Sequence, residues 1–236
     1  MLEPIVVTSI YKNSTGKRIL LPQRMALLDS DAAESIHALN SHMSAIGANF
    51  YLSDAYRTRK MQEKARNDYI TNEKKSYSPP PGESIHEAGR AIDIDVDSLG
   101  IPLSRFWETA LVYGWRPIIS VPDPERVECW HFEYLAYWCG KPTDILPFRR
   151  CAVLEAYLEN NICVISEYDR WFLLQGYLKL MGLYNLKVDG KPGSGTRGAI
   201  EKYKNIHAGN VTIANPDVIA IGQRVRGMWR HHTLRT

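Results

Sequence analysis

A short run at residues 140–147, Gly140-Lys141-Pro142-Thr143-Asp144-Ile145-Leu146-Pro147, limits what this chain can fold into more than any other feature. It combines two prolines and a glycine with little hydrophobic periodicity, so it reads as a linker that interrupts regular structure. Before it, strand and helix patterns mix; after it, only helix patterns occur. The boundary falls near residues 140–155, with one domain at 1–145 and a second at 155–236. Charge divides at the same place. Residues 1–150 carry 18 Lys/Arg against 19 Asp/Glu, a net of −1, and residues 151–236 carry 11 against 7, a net of +4.

Composition narrows the class without naming a chemistry. At 236 residues and 44% hydrophobic, the chain is long and apolar enough for a medium domain with a small companion, and it is neither disordered nor a collagen or coiled-coil repeat. A total net charge of +3 is too balanced to argue for nucleic acid as a partner. No apolar run approaches the roughly 20 residues of a membrane span. The start, MLEPIVVTSIYKNSTGKRIL, lacks a basic stretch followed by a long apolar one, so no signal peptide is expected. Cys129, Cys139, Cys151 and Cys163 show no CxxC spacing and hence neither a zinc ribbon nor a dense disulfide framework.

Local patterns predict the elements. Ala33, Ile36, Leu39, Met43 and Ile46 repeat at helical spacing after Ser30-Asp31, and Gly47 ends that helix. A strand is expected over 49–56, a helix over 59–71, and a loop over 76–82, where three consecutive prolines exclude a helix interior. Alternation in Ala91-Ile92-Asp93-Ile94-Asp95-Val96 predicts a strand. A short helix over 104–113, closed by Gly114, and strands over 115–119 and 127–134 complete this half. The second half predicts helices at 169–181, 194–207 and 217–228, with a turn at Asp189-Gly190.

Two segments bring together residue types that bind metal. His86 and Asp93 lie in Gly82-Glu83-Ser84-Ile85-His86-Glu87-Ala88-Gly89-Arg90-Ala91-Ile92-Asp93, and His131 lies in Glu128-Cys129-Trp130-His131-Phe132-Glu133-Tyr134. Two imidazoles and a carboxylate are a ligand set for a catalytic zinc that keeps one position open for water. Such a water needs a carboxylate as general base, and both Glu128 and Glu133 flank His131. Strand alternation puts Glu133 on the face of His131 and Glu128 on the opposite one, which favours Glu133. His37, His42, His207, His231 and His232 are assigned to no metal.

These residues also carry a family resemblance. Ser84-Ile85-His86-Glu87-Ala88-Gly89-Arg90-Ala91-Ile92-Asp93 resembles the S-x-H-x-x-G-x-A-x-D motif of the zinc D-alanyl-D-alanine carboxypeptidases and dipeptidases, within the lysostaphin, carboxypeptidase and hedgehog group. Glu128-Cys129-Trp130-His131 resembles their E-x-W-H motif, and Tyr56-Arg57-Thr58 with Gln62 resembles a segment found upstream in the same family. The resemblance implies one zinc ion on His86, Asp93 and His131. It implies Glu128 as the base, at a bulge or ahead of the regular strand. Arg57 would bind and polarise the scissile carbonyl, Ser84 would bind substrate or support the ligands, Gln62 would support the element bearing Arg57, and Gly89 would allow close packing behind the ligands.

In the second half, residues 178–203 resemble the helical peptidoglycan-binding domain of wall hydrolases. The expectation is therefore an α+β peptidase domain with an antiparallel sheet holding the zinc, followed by a small three-helix domain. The implied partner is peptidoglycan, cut by a monomer at the periplasm or wall. The implied reaction is D-alanyl-D-alanine carboxypeptidase-like hydrolysis. An endolysin-type L-alanyl-D-glutamate endopeptidase is the alternative, and a non-catalytic peptidoglycan-binding protein is the rival from another class. With the missing signal peptide, the export route is left open between release by lysis and a dedicated secretion route. In an oxidising compartment a Cys139–Cys151 or Cys151–Cys163 disulfide is also open.

Overall fold

A computed structural model describes residues 1–139, 145–207 and 211–233. The chain divides into two compact units, Met1–Ala136 and Tyr137–Thr236. No helix among the described residues is long and apolar enough to cross a membrane.

The first unit is α+β. Its elements are β1 (Leu2–Pro4), β2 (Thr8–Lys12), β3 (Arg18–Leu20), β4 (Leu27–Asp29), α1 (Ser30–Ala45), β5 (Leu52–Asp54), α2 (Arg59–Ile70), β6 (Ala91–Ile94), α3 (Leu103–Val112), β7 (Arg116–Pro117) and β8 (His131–Glu133). Six strands form one sheet in the order β3-β2-β5-β6-β8-β7, while β1 and β4 pair separately. The sheet is mostly antiparallel as expected, but β2 and β5 run parallel, so it is mixed. The expected strands are present in shortened form: 127–134 reduces to β8, with residues 127–130 in a turn, and 115–119 reduces to β7.

Periodicity explains the helix that supports the sheet. Ala32, Ala33, Ile36, Leu39 and Met43 make one buried stripe on α1, and Gly47 ends the helix at φ +71°. That stripe joins a core with Leu52, Ile92, Phe106, Trp115 and Phe132. Phe106 meets Phe132 edge to face at 5.0 Å. In β6 and β8, Ile92 pairs with Phe132, while Asp93 pairs with His131 and Ala91 with Glu133. Since strand side chains alternate, Ile92 and Phe132 fill the core and the other four residues share the opposite face.

Behind that face the chain doubles back at Gly89, whose φ is +63°. A Cβ here would come within 2.9 Å of the Asp29 backbone nitrogen and 3.1 Å of Leu28 Cα. The Asp29 amide donates to the Gly89 carbonyl at 2.9 Å, and the buried Arg90 guanidinium donates to Asp29 Oδ2 at 2.5 Å. Gly89→Ala is expected to cost about 2–5 kcal/mol, from the left-handed backbone and overpacking together. Denaturant unfolding checks this; an unchanged midpoint would show that the turn can relax.

The second unit is helical: α4 (Ile145–Glu159), α5 (Glu167–Leu180), α6 (Ser194–His207) and α7 (Asn215–Thr233). The three expected helices are α5, α6 and α7. Helix α4 is a fourth, which was not expected and overlaps the stretch read as linker only at residues 145–147; residues 140–144 lie outside the described residues. Pro147 sits in the first turn of α4, where its missing N–H costs nothing. Cys151 is a buried, unbridged thiol, which excludes both disulfides considered from the sequence. Gln175, fully buried on α5, holds the expected turn. Its Oε1 accepts from the Asp189 and Gly190 amides at 2.9 and 2.8 Å, and its Nε2 donates to the Lys191 carbonyl and Thr196 Oγ1, both at 3.0 Å.

Candidate metal centre

Each ligand candidate is placed by a different local device. His86 sits in a 3-10 turn at Ile85–Ala88, entered from Ser84 and closed by Gly89. Its Nδ1 lies 2.5 Å from the Ala55 carbonyl oxygen. A carbonyl only accepts, so Nδ1 carries the hydrogen and Nε2 presents a lone pair. That Nε2 stands 3.4 Å from Asp93 Oδ1. From β8, His131 places Nδ1 at 2.8 Å from the same Asp93 oxygen and Nε2 at 3.4 Å from Glu133 Oε1.

His86, Asp93 and His131 are all buried, and their ligand atoms lie within 4.8 Å of one another. Among the described residues no other set of three or more His, Cys, Asp or Glu side chains converges in this way. Burial opposes a charge on His131, but hydrogen bonds to Asp93 and Glu133 outweigh it and hold its pKa up at about 10. Burial likewise opposes the Asp93 carboxylate, yet the two histidines hold it well below the ordinary range. The pocket thus stabilises positive charge between Asp93 and the imidazoles. Two nitrogens and a carboxylate oxygen at this spacing fit a zinc ion.

Arg57 follows β5 and is nearly buried. Its Nε donates to Asp54 Oδ2 at 2.6 Å, Nη1 to Gln62 Oε1 at 3.3 Å and Nη2 to Asp93 Oδ2 at 3.4 Å. Gln62 is itself fully buried and donates to Ser78 Oγ and the Pro79 carbonyl. A guanidinium has five N–H groups; these contacts use three and leave one on each Nη.

Glu128 stands ahead of β8, in the turn, with φ +69°. The alternation argument that placed it opposite His131 assumed a strand over 127–134, and that assumption does not hold here. Burial raises the Glu128 carboxyl above its ordinary value; His131, Asp93, Lys74 and His86 all act on its charge. A bulky side chain in the left-handed region is uncommon and gathers at functional sites. Ser84 is buried and its side chain makes no capping bond to the turn it precedes.

The three ligand candidates converge in the structure, and Arg57 reaches Asp93 beside them. Sequence reasoning missed Asp54 and the Ala55 carbonyl. Asp54 lies three residues before Arg57, and its role was readable only once β5 was known to end there. The Ala55 carbonyl is a backbone group and left no mark in the sequence.

Comparison with known proteins adds one family and three folds. Residues 25–116 match the VanY family, described as D-alanyl-D-alanine carboxypeptidase. The matched stretch contains Arg57, Ser84, His86 and Asp93, while Glu128, His131 and Glu133 lie beyond it. No curated protein matches the chain in sequence. Among solved structures, the LdcB LD-carboxypeptidase is 19% identical with a TM-score of 0.44, over 56% of this chain and 67% of that one. A vancomycin-resistance D,D-pentapeptidase VanY in complex with Zn(II) is 20% identical with a TM-score of 0.38, over 56% of this chain and 82% of that one. VanYB in complex with D-alanine-D-alanine is 19% identical with a TM-score of 0.36, over 56% of this chain and 77% of that one. At these scores none of the three defines the site.

Proposed function

We propose that the protein is a zinc-dependent peptidase that hydrolyses a peptide bond in the peptidoglycan stem peptide, in the manner of a D-alanyl-D-alanine carboxypeptidase. The observation that carries this reading is the buried convergence of His86, Asp93 and His131 beside a strained Glu128. The VanY match over residues 25–116 supports the substrate class.

A zinc ion on these three side chains would supply Lewis acidity and a more acidic water. The Ala55 carbonyl, accepting from Nδ1, orients His86 for this task. Glu128 takes the proton of the attacking water on its carboxylate and hands it to the leaving amine nitrogen. Its raised proton affinity suits both halves of that exchange. Arg57, pinned by Asp54 and Gln62, points its remaining N–H groups at the scissile carbonyl and the negative charge that develops there. Ser84 borders the substrate.

We assign peptidoglycan binding to the helical unit, on its motif resemblance and its net charge of +4 over residues 151–236. The protein then works as a monomer in the periplasm or cell wall. Digestion of purified muropeptides, read by mass spectrometry, tests the reaction. Loss of one terminal D-alanine is the expected product. Release of whole stem peptides would make the enzyme an endopeptidase of the L-alanyl-D-glutamate type, and no product with zinc bound would leave a non-catalytic binding protein.

A further inference from the structure

We propose that Glu133 is a positioning residue whose carboxylate accepts the Nε2–H of His131 and so keeps Nδ1 turned toward the metal. This rests on the zinc reading above and assigns Glu133 a task different from that of a base.

Three observations converge on it. First, β8 puts His131 and Glu133 on one face while Phe132 enters the core, and their contact is Nε2 to Oε1 at 3.4 Å. Second, His131 Nδ1 is already committed to the metal side, 2.8 Å from Asp93 Oδ1. The two nitrogens lie on different edges of the imidazole ring, so a carboxylate on Nε2 leaves Nδ1 free to face Asp93 and the metal side. Third, Glu133 is 5% exposed, and a carboxylate that deeply buried needs donors. The small Ala91, its partner across the strand pair, leaves room for it. His86 is held in the same fashion, with the Ala55 carbonyl behind Nδ1 at 2.5 Å. Both imidazoles are therefore fixed from the rear by an oxygen acceptor, the arrangement by which outer partners set tautomer and ring orientation in metal sites.

The test is zinc affinity, by competition with a chromogenic chelator, for the parent, Glu133→Gln and Glu133→Ala. The absorption spectrum of each Co(II)-substituted protein is the second readout. Glu133→Ala is expected to bind zinc about 10–100-fold more weakly, with an altered Co(II) spectrum and with hydrolysis regained at saturating zinc. Glu133→Gln keeps an acceptor oxygen and is expected to retain most of the affinity; if the alanine variant does not fold, Glu133→Leu, which fills a similar space without an acceptor, replaces it with the same expected loss. Parent-like affinity and spectrum in both variants would overturn the proposal. So would parent-like zinc binding with lost hydrolysis in Glu133→Ala, which would make Glu133 the base. A parent that binds no zinc would instead overturn the zinc reading itself, and this proposal with it.

Discussion

Glu128→Gln is expected to bind zinc as the parent does, to unfold at the same denaturant concentration, and to lose about 10²–10⁴-fold in hydrolysis, the range general-base catalysis supplies. Glutamine keeps the size and an acceptor oxygen but cannot take a proton. Glu128 is not among the three converging ligand groups, so the substitution leaves the ligand set intact. It also preserves whatever the φ of +69° demands of the turn, since both residues are equally strained there. Zinc titration beside muropeptide turnover separates the outcomes. A variant that keeps its turnover would remove Glu128 from the chemistry. One that loses turnover and zinc together would make it a ligand.

The second large effect lies in the helical unit. Glu155 on α4 is 3% exposed and receives four donors. Trp138 Nε1 reaches Oε2 at 3.0 Å, Tyr177 Oη reaches Oε1 at 2.7 Å, Arg226 Nη2 reaches Oε1 at 3.2 Å, and Tyr137 Oη donates to Oε2. Arg226 also donates to Glu159 at 2.6 Å. Burial, and then Glu155 itself, pushes the Tyr177 phenol well above its ordinary range, so it remains a donor. Glu155→Leu is close in size but removes the shared acceptor and leaves several buried donors stranded. The expected cost is about 3–5 kcal/mol, as for breaking a buried charge pair from one side. For a unit of this size that lowers its melting temperature by roughly 12 °C or more. Calorimetry of the whole chain is the check. A loss under about 1 kcal/mol would show that water replaces the carboxylate.

Some of this was legible in the sequence, and the reasons differ by element. Helix α1 was readable because its buried residues repeat at helical spacing and a glycine closes it. Helix α4 was not: residues 151–158 are all buried, so no polar face alternates with an apolar one, and Pro147 suggested a break. Helix α5 is buried over a similar stretch, yet Ser166 and Gly182 punctuate its ends. The strands β1 to β4 are three to five residues long, too short for alternation to stand out. Around the candidate site, the ligand candidates His86, Asp93 and His131 were legible from spacing and resemblance. The Ala55 carbonyl was not, because it is a backbone group, and Glu133 was read only as a candidate base in competition with Glu128. Strand alternation correctly joined Glu133 to His131, and it misplaced Glu128 only because the strand begins three residues later.

The claim that His86, Asp93 and His131 hold a catalytic zinc is tested most directly by D-alanine release from a purified pentapeptide muropeptide. The measurement uses the parent and Asp93→Asn, each before and after chelator treatment and zinc return. The account predicts that the parent holds one zinc per chain, loses release with the chelator and regains it with zinc, while Asp93→Asn holds none and releases nothing in any condition. Undiminished release by the chelated, zinc-free parent would contradict it.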